Sequence, residues 1–204
     1  ASYGTAFRAP SLNELYYPFY GNIDLKPEES IAWEAGMDKA FARANVSVTY
    51  FDQKYENLIA SDPLTWAAVN IAEAKIRGVE TGLSYRLTNS IGLKTGYTYL
   101  DARDEATDEM LPLRPRDKVA SGITYADGGL SLEAVHRYIG ERPDVSAQKD
   151  LSPYDVFDMS GSLRLTKHFL ITARAENLLD EDYEEAGGYG TPGRSYYGGI
   201  KAEF

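Results

Sequence analysis

Residue types that carry covalent chemistry are scarce in this chain. Its 204 residues include two histidines, His136 and His168, and no cysteine. A hydrolytic site needs a histidine held beside a nucleophile or carboxylate. His168 stands next to a short polar turn, and His136 takes an apolar position of an alternating segment beside Arg137. Neither sits in a recognisable partner motif, so no catalytic residue is assigned. Without cysteine there is neither a disulfide framework nor a thiolate metal site. Carboxylates are plentiful and cluster twice, at Asp101, Asp104, Glu105, Asp108 and Glu109, and at Asp180, Glu181, Asp182, Glu184 and Glu185. Such oxygen donors can collect Ca2+, but neither cluster has the spacing of the 12-residue calcium loop. Both read as solvated surface charge, and no resident metal or cofactor is expected. What remains is binding chemistry. Tyr16, Tyr17, Phe19 and Tyr20 crowd one loop and Trp66 stands in another. Aromatics with a few polar groups suit a concave ligand site. These five are the candidate ligand contacts, with loop packing as the competing role.

The elements that must position them are strands. The net charge of −10 and sequence pI near 4.7 argue against a nucleic-acid partner. No run of about 18 apolar residues is present, so no transmembrane helix is expected, but a barrel strand needs only about 10 alternating residues. The opening Ala1–Ala6 reads as a strand, not a leader. Ser11 is placed to cap a helical turn, with Glu14 completing a capping box. Alternating segments then run from Ser30 to Lys39 and from Asn45 to Ile59. The next has a short lead at Trp66–Ile71 and a main body at Ile76–Tyr85. Others start at Ile91, Arg116, Leu130, Phe157 and Phe169, and the last alternates strictly from Gly198 to Phe204.

Two regularities join these segments. One face of each is aliphatic and aromatic, while the other carries Glu34, Glu80, Lys94, Glu133, Arg137, Asp158, Arg164, Arg174, Lys201 and Glu203. The connections alternate in length: tight near Ala42, Thr88, Asp127 and Thr166, and long after Ala6, Ile59, Leu100, Ile139 and Asn177. A wet interior, a lipid-facing exterior and short turns opposite long loops describe a membrane barrel. The expected fold is all-β, an antiparallel up-and-down meander of about ten transmembrane strands. A soluble sandwich or lipocalin-like barrel is the alternative.

The motifs carry a resemblance. Tyr3-Gly4-Thr5-Ala6-Phe7-Arg8-Ala9-Pro10 through Glu14-Leu15-Tyr16, Gly21-Asn22 through Leu25-Lys26-Pro27-Glu28, and Trp33-Glu34-Ala35-Gly36 resemble TonB-dependent outer-membrane receptors. So do Ile76-Arg77-Gly78-Val79-Glu80, Leu113-Arg114-Pro115-Arg116 and Glu176-Asn177-Leu178-Leu179-Asp180 through Pro192-Gly193-Arg194. The vitamin B12 (cobalamin) receptor branch is the nearest. Tyr55 through Leu58-Ile59 resembles the end of the next strand, and Ile23, Asn57 and Pro115 depart from the usual pattern.

The resemblance implies that residues 1–204 are the C-terminal part of an outer-membrane barrel of the 22-stranded type, with the plug domain and N-terminal strands absent from this chain. It implies energised uptake of a scarce metal chelate (cobalamin, ferric siderophore or haem) in the bacterial outer membrane. The implied partners are lipid, lipopolysaccharide, the plug, TonB and the barrel-assembly machinery. Glu80 and Arg174 become candidate plug-facing residues of the lumen, and Phe204 the terminal aromatic read by the assembly machinery. A passive porin, and then an outer-membrane hydrolase, are the alternatives.

Overall fold

The computed structural model describes residues 1–62, 64–144 and 149–203. Phe204, the expected assembly signal, lies outside them. In chain order the elements are β1 (Ser2–Arg8), α1 (Leu12–Tyr16), β2 (Glu28–Ala40), β3 (Ala44–Ser61) and β4 (Ala68–Arg86). They continue with β5 (Ile91–Asp104), β6 (Asp117–Asp127), β7 (Leu130–Ile139), β8 (Arg142–Asp144) and β9 (Lys149–Leu151). The last are β10 (Tyr154–Arg164), β11 (Phe169–Glu176), β12 (Glu184–Ala186), β13 (Tyr189–Gly190) and β14 (Ser195–Ala202). Ten strands form one antiparallel sheet in the order β1-β2-β3-β4-β5-β6-β7-β10-β11-β14. The pairs β8-β9 and β12-β13 are small hairpins inside long connections.

Local chemistry sets the tight turns. Gly128 and Gly129 both have positive φ, at 55° and 88°, as a two-residue hairpin turn requires. Thr88 and Thr166 act alike. The Thr88 hydroxyl accepts from the amides of Ser90 and Ile91, and the Thr166 hydroxyl from those of His168 and Phe169. Each side chain replaces a backbone turn partner and reverses the chain within a few residues.

Register carries the two-faced pattern across the whole sheet. Tyr85, Leu93, Ile123, Ala134, Met159, Ala175 and Tyr196 stand opposite one another in a single row. Ser84, Lys94, Gly122, Val135 and Asp158 form a row on the other face. Because side chains alternate at period two, the apolar sets of all ten strands share one face. That face stays bare: Tyr3, Trp33, Met37, Val48, Ile123, Phe169 and Ile200 are all exposed. Among the described residues no second sheet faces it, so the sandwich alternative fails. An apolar face without a covering layer suits lipid, and the charged inner face suits water or protein.

Among the described residues, burial is concentrated at the long-loop end. Ala74, Ala102 and Leu111 pack together there, flanked by Tyr55, Leu58, Ile76 and Leu100. The sheet is one layer thick, so side chains are covered only where loops fold back over it.

Several boundaries differ from expectation, most of them at this end. The separate lead and body of the fourth strand are one strand, β4, and Trp66 lies in the turn before it. β5 continues through Asp101 to Asp104, where the sequence reads as a long loop. β10 and β14 each start three residues earlier than their alternation shows. Ladder bonds carry strands beyond the amphipathic stretch wherever a neighbouring strand is present to pair with.

Candidate ligand-binding site at the long-loop rim

The rim is built around Arg8. Its guanidinium donates through Nε and Nη2 to the Glu28 carboxylate, at 2.7 and 2.6 Å. Its Nη1 meets Glu14 at 3.0 Å. Glu28 also accepts from the Ile59 amide at 2.8 Å. One arginine thus ties β1 to α1 and β2, and Glu28 extends the tie to β3. The capping box exists as expected: Glu14 N donates to Ser11 Oγ, and Ser11 N donates to the Glu14 carboxylate. Burial works against ionisation of Glu14, but Arg8 and Ser11 outweigh it and hold its carboxyl below the usual carboxylate range.

Past α1 the chain doubles back on itself. The Gly21 amide donates to Tyr17 O at 2.7 Å and the Asn22 amide to Glu14 O at 2.8 Å. A Cβ at Gly21 would lie 2.7 Å from the backbone nitrogens of Tyr16 and Tyr17, so only glycine fits. This compact loop lies against the β3–β4 turn. The Ala68 amide donates to Tyr20 O, Asn22 Nδ2 to Ala68 O, and Asn70 Nδ2 to Lys26 O. In that turn Asp62 caps Leu64 and Thr65, and these donors hold its carboxyl below the usual range.

The five candidate aromatics sit on this docked pair of loops. Tyr16 ends α1, and Tyr17 is its C-cap. Phe19 is 101% exposed and Trp66 56% exposed. Both hold positive φ, at 66° and 64°, which bulky residues rarely adopt. Tyr20 is half-buried, its carbonyl engaged by Ala68. Backbone hydrogen bonds therefore bring the two loops together and leave their large rings in solvent.

The inner face holds Glu80 and Arg174 but does not join them. Glu80, on β4, is exposed between Thr49 and Thr98. Arg174, on β11, stacks over Tyr197 at 4.6 Å and meets Glu176 at 3.3 Å. It borders a hollow of about 610 Å3 that is floored by small side chains including Ser160, Ser162 and Thr172.

The acidic clusters are not simply solvated. Asp101 is buried at 8% exposure, gripped by Arg77 at 2.9 Å and Arg103 at 2.8 Å. Asp104 caps Ala106 and Thr107, and Asp180 accepts from the Arg194 amide at 2.7 Å. Arginines and backbone amides thus hold Asp101, Asp104 and Asp180, and buried Asp101 departs from the solvated reading, whereas Glu105, Asp108, Glu109, Asp182 and Glu185 are exposed as expected. The histidines are likewise engaged. His136 Nε2 lies 2.6 Å from Asp155 and His168 Nδ1 lies 2.7 Å from Glu203 O.

Two further tethers rest on residues to which the sequence alone assigns no role. Buried Asn177, at φ 50°, donates to Glu181 O and Pro192 O and accepts from the Glu181 amide. Together with Asp180–Arg194 it closes the connection into β14, which accounts for the Asn-Leu-Leu-Asp and Pro-Gly-Arg motifs. Buried Arg142 donates to Glu184 O and lies over Tyr154 at 5.3 Å. This links the β8-β9 hairpin to the β12-β13 hairpin across 42 residues.

Comparison with known proteins agrees with this architecture. Residues 1–178 match the family model described as TonB dependent receptor-like, beta-barrel. The vitamin B12 transporter BtuB of Photobacterium profundum is 32% identical over 205 residues, covering 97% of this chain and 34% of that protein. BtuB of Vibrio vulnificus is 32% identical over 202 residues, covering 97% and 32%. The chain thus spans about a third of the length of these relatives. Among solved structures, the copper transporter OprC has the same fold, with a TM-score of 0.83 at 23% identity over 99% of this chain and 36% of that one. The ferric enterobactin receptor PfeA of Pseudomonas aeruginosa, as its G324V mutant, gives 0.80 at 25% identity, covering 99% and 37%. These relatives are transporters and receptors, not enzymes, and the chain is accordingly an outer-membrane protein. The chain belongs to the TonB-dependent receptor β-barrel family.

Proposed function

We propose that this chain supplies the C-terminal wall and several external loops of a receptor that takes up a scarce metal chelate by an energised route. The docked loop pair carries the reading. It holds Tyr16, Tyr17, Phe19, Tyr20 and Trp66 at the long-loop rim, anchored by the Arg8–Glu14–Glu28 network. Exposed rings on a rigid base suit a large, partly apolar ligand, because little ordering cost is left to meet on binding. Cobalamin is the first candidate, supported by the 32% identity to BtuB over nearly the whole chain. A ferric siderophore or haem would use the same rings.

On the inner face, Glu80 and Arg174 would meet a plug domain belonging to the remainder of the protein, and that plug would engage TonB. Phe204 would serve the barrel-assembly machinery. A passive porin needs no aromatic rim, so the loop pair favours a receptor.

The test uses the full-length receptor with cyanocobalamin, ferric enterobactin and haem as separate probes. Phe19→Ala combined with Trp66→Ala is expected to weaken the preferred probe by about tenfold or more, as for central binding residues. Unchanged affinity for all three probes would remove the rim from the binding site. Preference for haem or enterobactin would overturn cobalamin and keep the site.

A further inference from the structure

We propose that the tight-turn end of the charged inner face carries an anion-binding subsite, built by Arg43, Arg86 and Lys94, that takes the acidic group of the imported chelate, a phosphate or a carboxylate, as it leaves toward the periplasm. The site follows from register. Asn45, Ser84, Lys94 and Gly122 form one inward row. Arg86, Gly92, Thr124 and Glu133 form the next row toward the tight turns. Gly92 stands opposite Arg86 and Gly122 opposite Lys94, so neither cation has a facing side chain to lie against. Arg43 joins them from the β2–β3 turn, where its carbonyl accepts from the Arg86 amide at 2.7 Å. The three border a hollow of about 570 Å3. One water in the liquid takes about 30 Å3, so a phosphate group fits with room for its own hydration.

These cations lack acceptors. No described residue forms an ion pair or a side-chain hydrogen bond with Arg43, Arg86 or Lys94. Other inward cations are committed: Arg137 to Asp158 at 2.8 Å, Arg174 to Glu176 at 3.3 Å, and Lys201 to Glu203. Among the described residues lining the hollow, Glu133 alone is a carboxylate. It lies three strands from Arg86, about 14 Å along the sheet at the usual strand spacing, which is beyond ion-pair reach. Asn45 and Ser84 add an amide and a hydroxyl as neutral donors. A guanidinium without a partner presents a fork of N–H donors that matches a phosphate or a carboxylate, and Lys94 adds a point charge.

Charge along the strand direction points the same way. The chain carries a net charge of −10. Its tight turns, residues 41–43, 87–90, 128–129 and 165–168, nevertheless hold Arg43 and Lys167 and no carboxylate. Both acidic clusters lie at the opposite, long-loop end. A field of this polarity draws an anion inside the lumen away from the acidic rim and toward the basic mouth. Short turns mark the periplasmic side, so the subsite stands at the exit and not at the aromatic rim that first meets the ligand. The inference rests on the uptake reading above and adds to it that the cargo bears an acidic group.

One experiment needs no cargo. Lys94 of the full-length receptor is modified with an amine-reactive reagent, with and without inorganic pyrophosphate, and read by mass spectrometry against Lys26 at the rim. Pyrophosphate is expected to slow modification of Lys94 by about tenfold relative to Lys26, and Arg43→Gln combined with Arg86→Gln to abolish that protection. Absence of protection overturns the proposal. So does a Lys94 already unreactive without pyrophosphate, which would show the site filled by another part of the receptor. The second experiment measures energised uptake by cells of cyanocobalamin, which has a phosphodiester, and of dicyanocobinamide, which lacks it. Arg43→Gln combined with Arg86→Gln should slow cyanocobalamin about tenfold more than dicyanocobinamide, and Arg43→Lys combined with Arg86→Lys should restore the rate. Equal slowing of both probes marks a structural role and overturns the proposal. If the wild type imports neither probe, the cobalamin reading fails and the pyrophosphate result alone decides the site.

Discussion

Replacing Arg8 by alanine in the full-length receptor isolates what holds the external loops to the barrel. Glu28 receives three donors, two from Arg8 and one from the Ile59 amide. Its side chain is 11% exposed, so water replaces the lost donors poorly. Breaking a fully buried pair from one side costs about 3–5 kcal/mol. Arg8 is itself 46% exposed, and solvent already screens that side. The expected cost is therefore smaller, about 2–3 kcal/mol. It falls on the loop base and not on the whole barrel, because the ladder from β2 to β14 does not use this arginine. The assay is native-state hydrogen exchange. The amides of Ile59 and Asn22 should exchange roughly 30- to 150-fold faster, the range that corresponds to that energy. Mid-sheet amides such as those of Thr98 and Lys118 should not change. Glu28→Gln keeps an acceptor for Ile59 and should cause a smaller loss at that amide. Unchanged protection at Ile59 and Asn22 in Arg8→Ala would refute the claim that this network anchors the rim.

Other consequences follow from the same geometry. The Glu14 carboxyl is held below its usual range, so its contribution is complete above that range and is lost as pH falls through the lowered value. Protection of the Ser11 and Asn22 amides should accordingly persist at neutral pH and decline only once the pH has fallen below the ordinary carboxylate range. Ile171→Arg puts a charge on the outward face between Leu163 and Ile200. It should cost about 2–4 kcal/mol in a barrel-folding titration if that position lies near the bilayer midplane; a neutral result would place it near an interface. Asn177→Ala removes the bonds to Glu181 and Pro192 and puts alanine at φ 50°. A loss of about 1–3 kcal/mol is expected, read as faster proteolysis between Asp180 and Arg194 with the strand core intact.

The sheet was legible in the sequence because its signal is local. Period-two alternation assigns each residue to a face from its immediate neighbours alone. Val119, Ile123, Phe157, Met159, Ile171 and Ile200 all fall on the face that alternation assigns them. Thr88, Thr166 and Gly128-Gly129 announce tight turns through their own side chains or backbone freedom. The capping box of Ser11 and Glu14 spans three residues and was equally readable.

The tertiary structure decided what depends on distant partners. Arg8 meets Glu28 across 20 residues and Arg77 meets Asp101 across 24. No local pattern distinguishes an aspartate gripped by two arginines from one in water, which is why Asp101 read as loop charge. Asn177 works through backbone carbonyls of its own long connection and Arg142 through one 42 residues away, and a carbonyl has no sequence signature. Thr95 and Ser121 exchange a hydrogen bond only because register sets β5 and β6 side by side. Alternation along the chain determined which way each side chain points. Pairing between strands determined what it meets there.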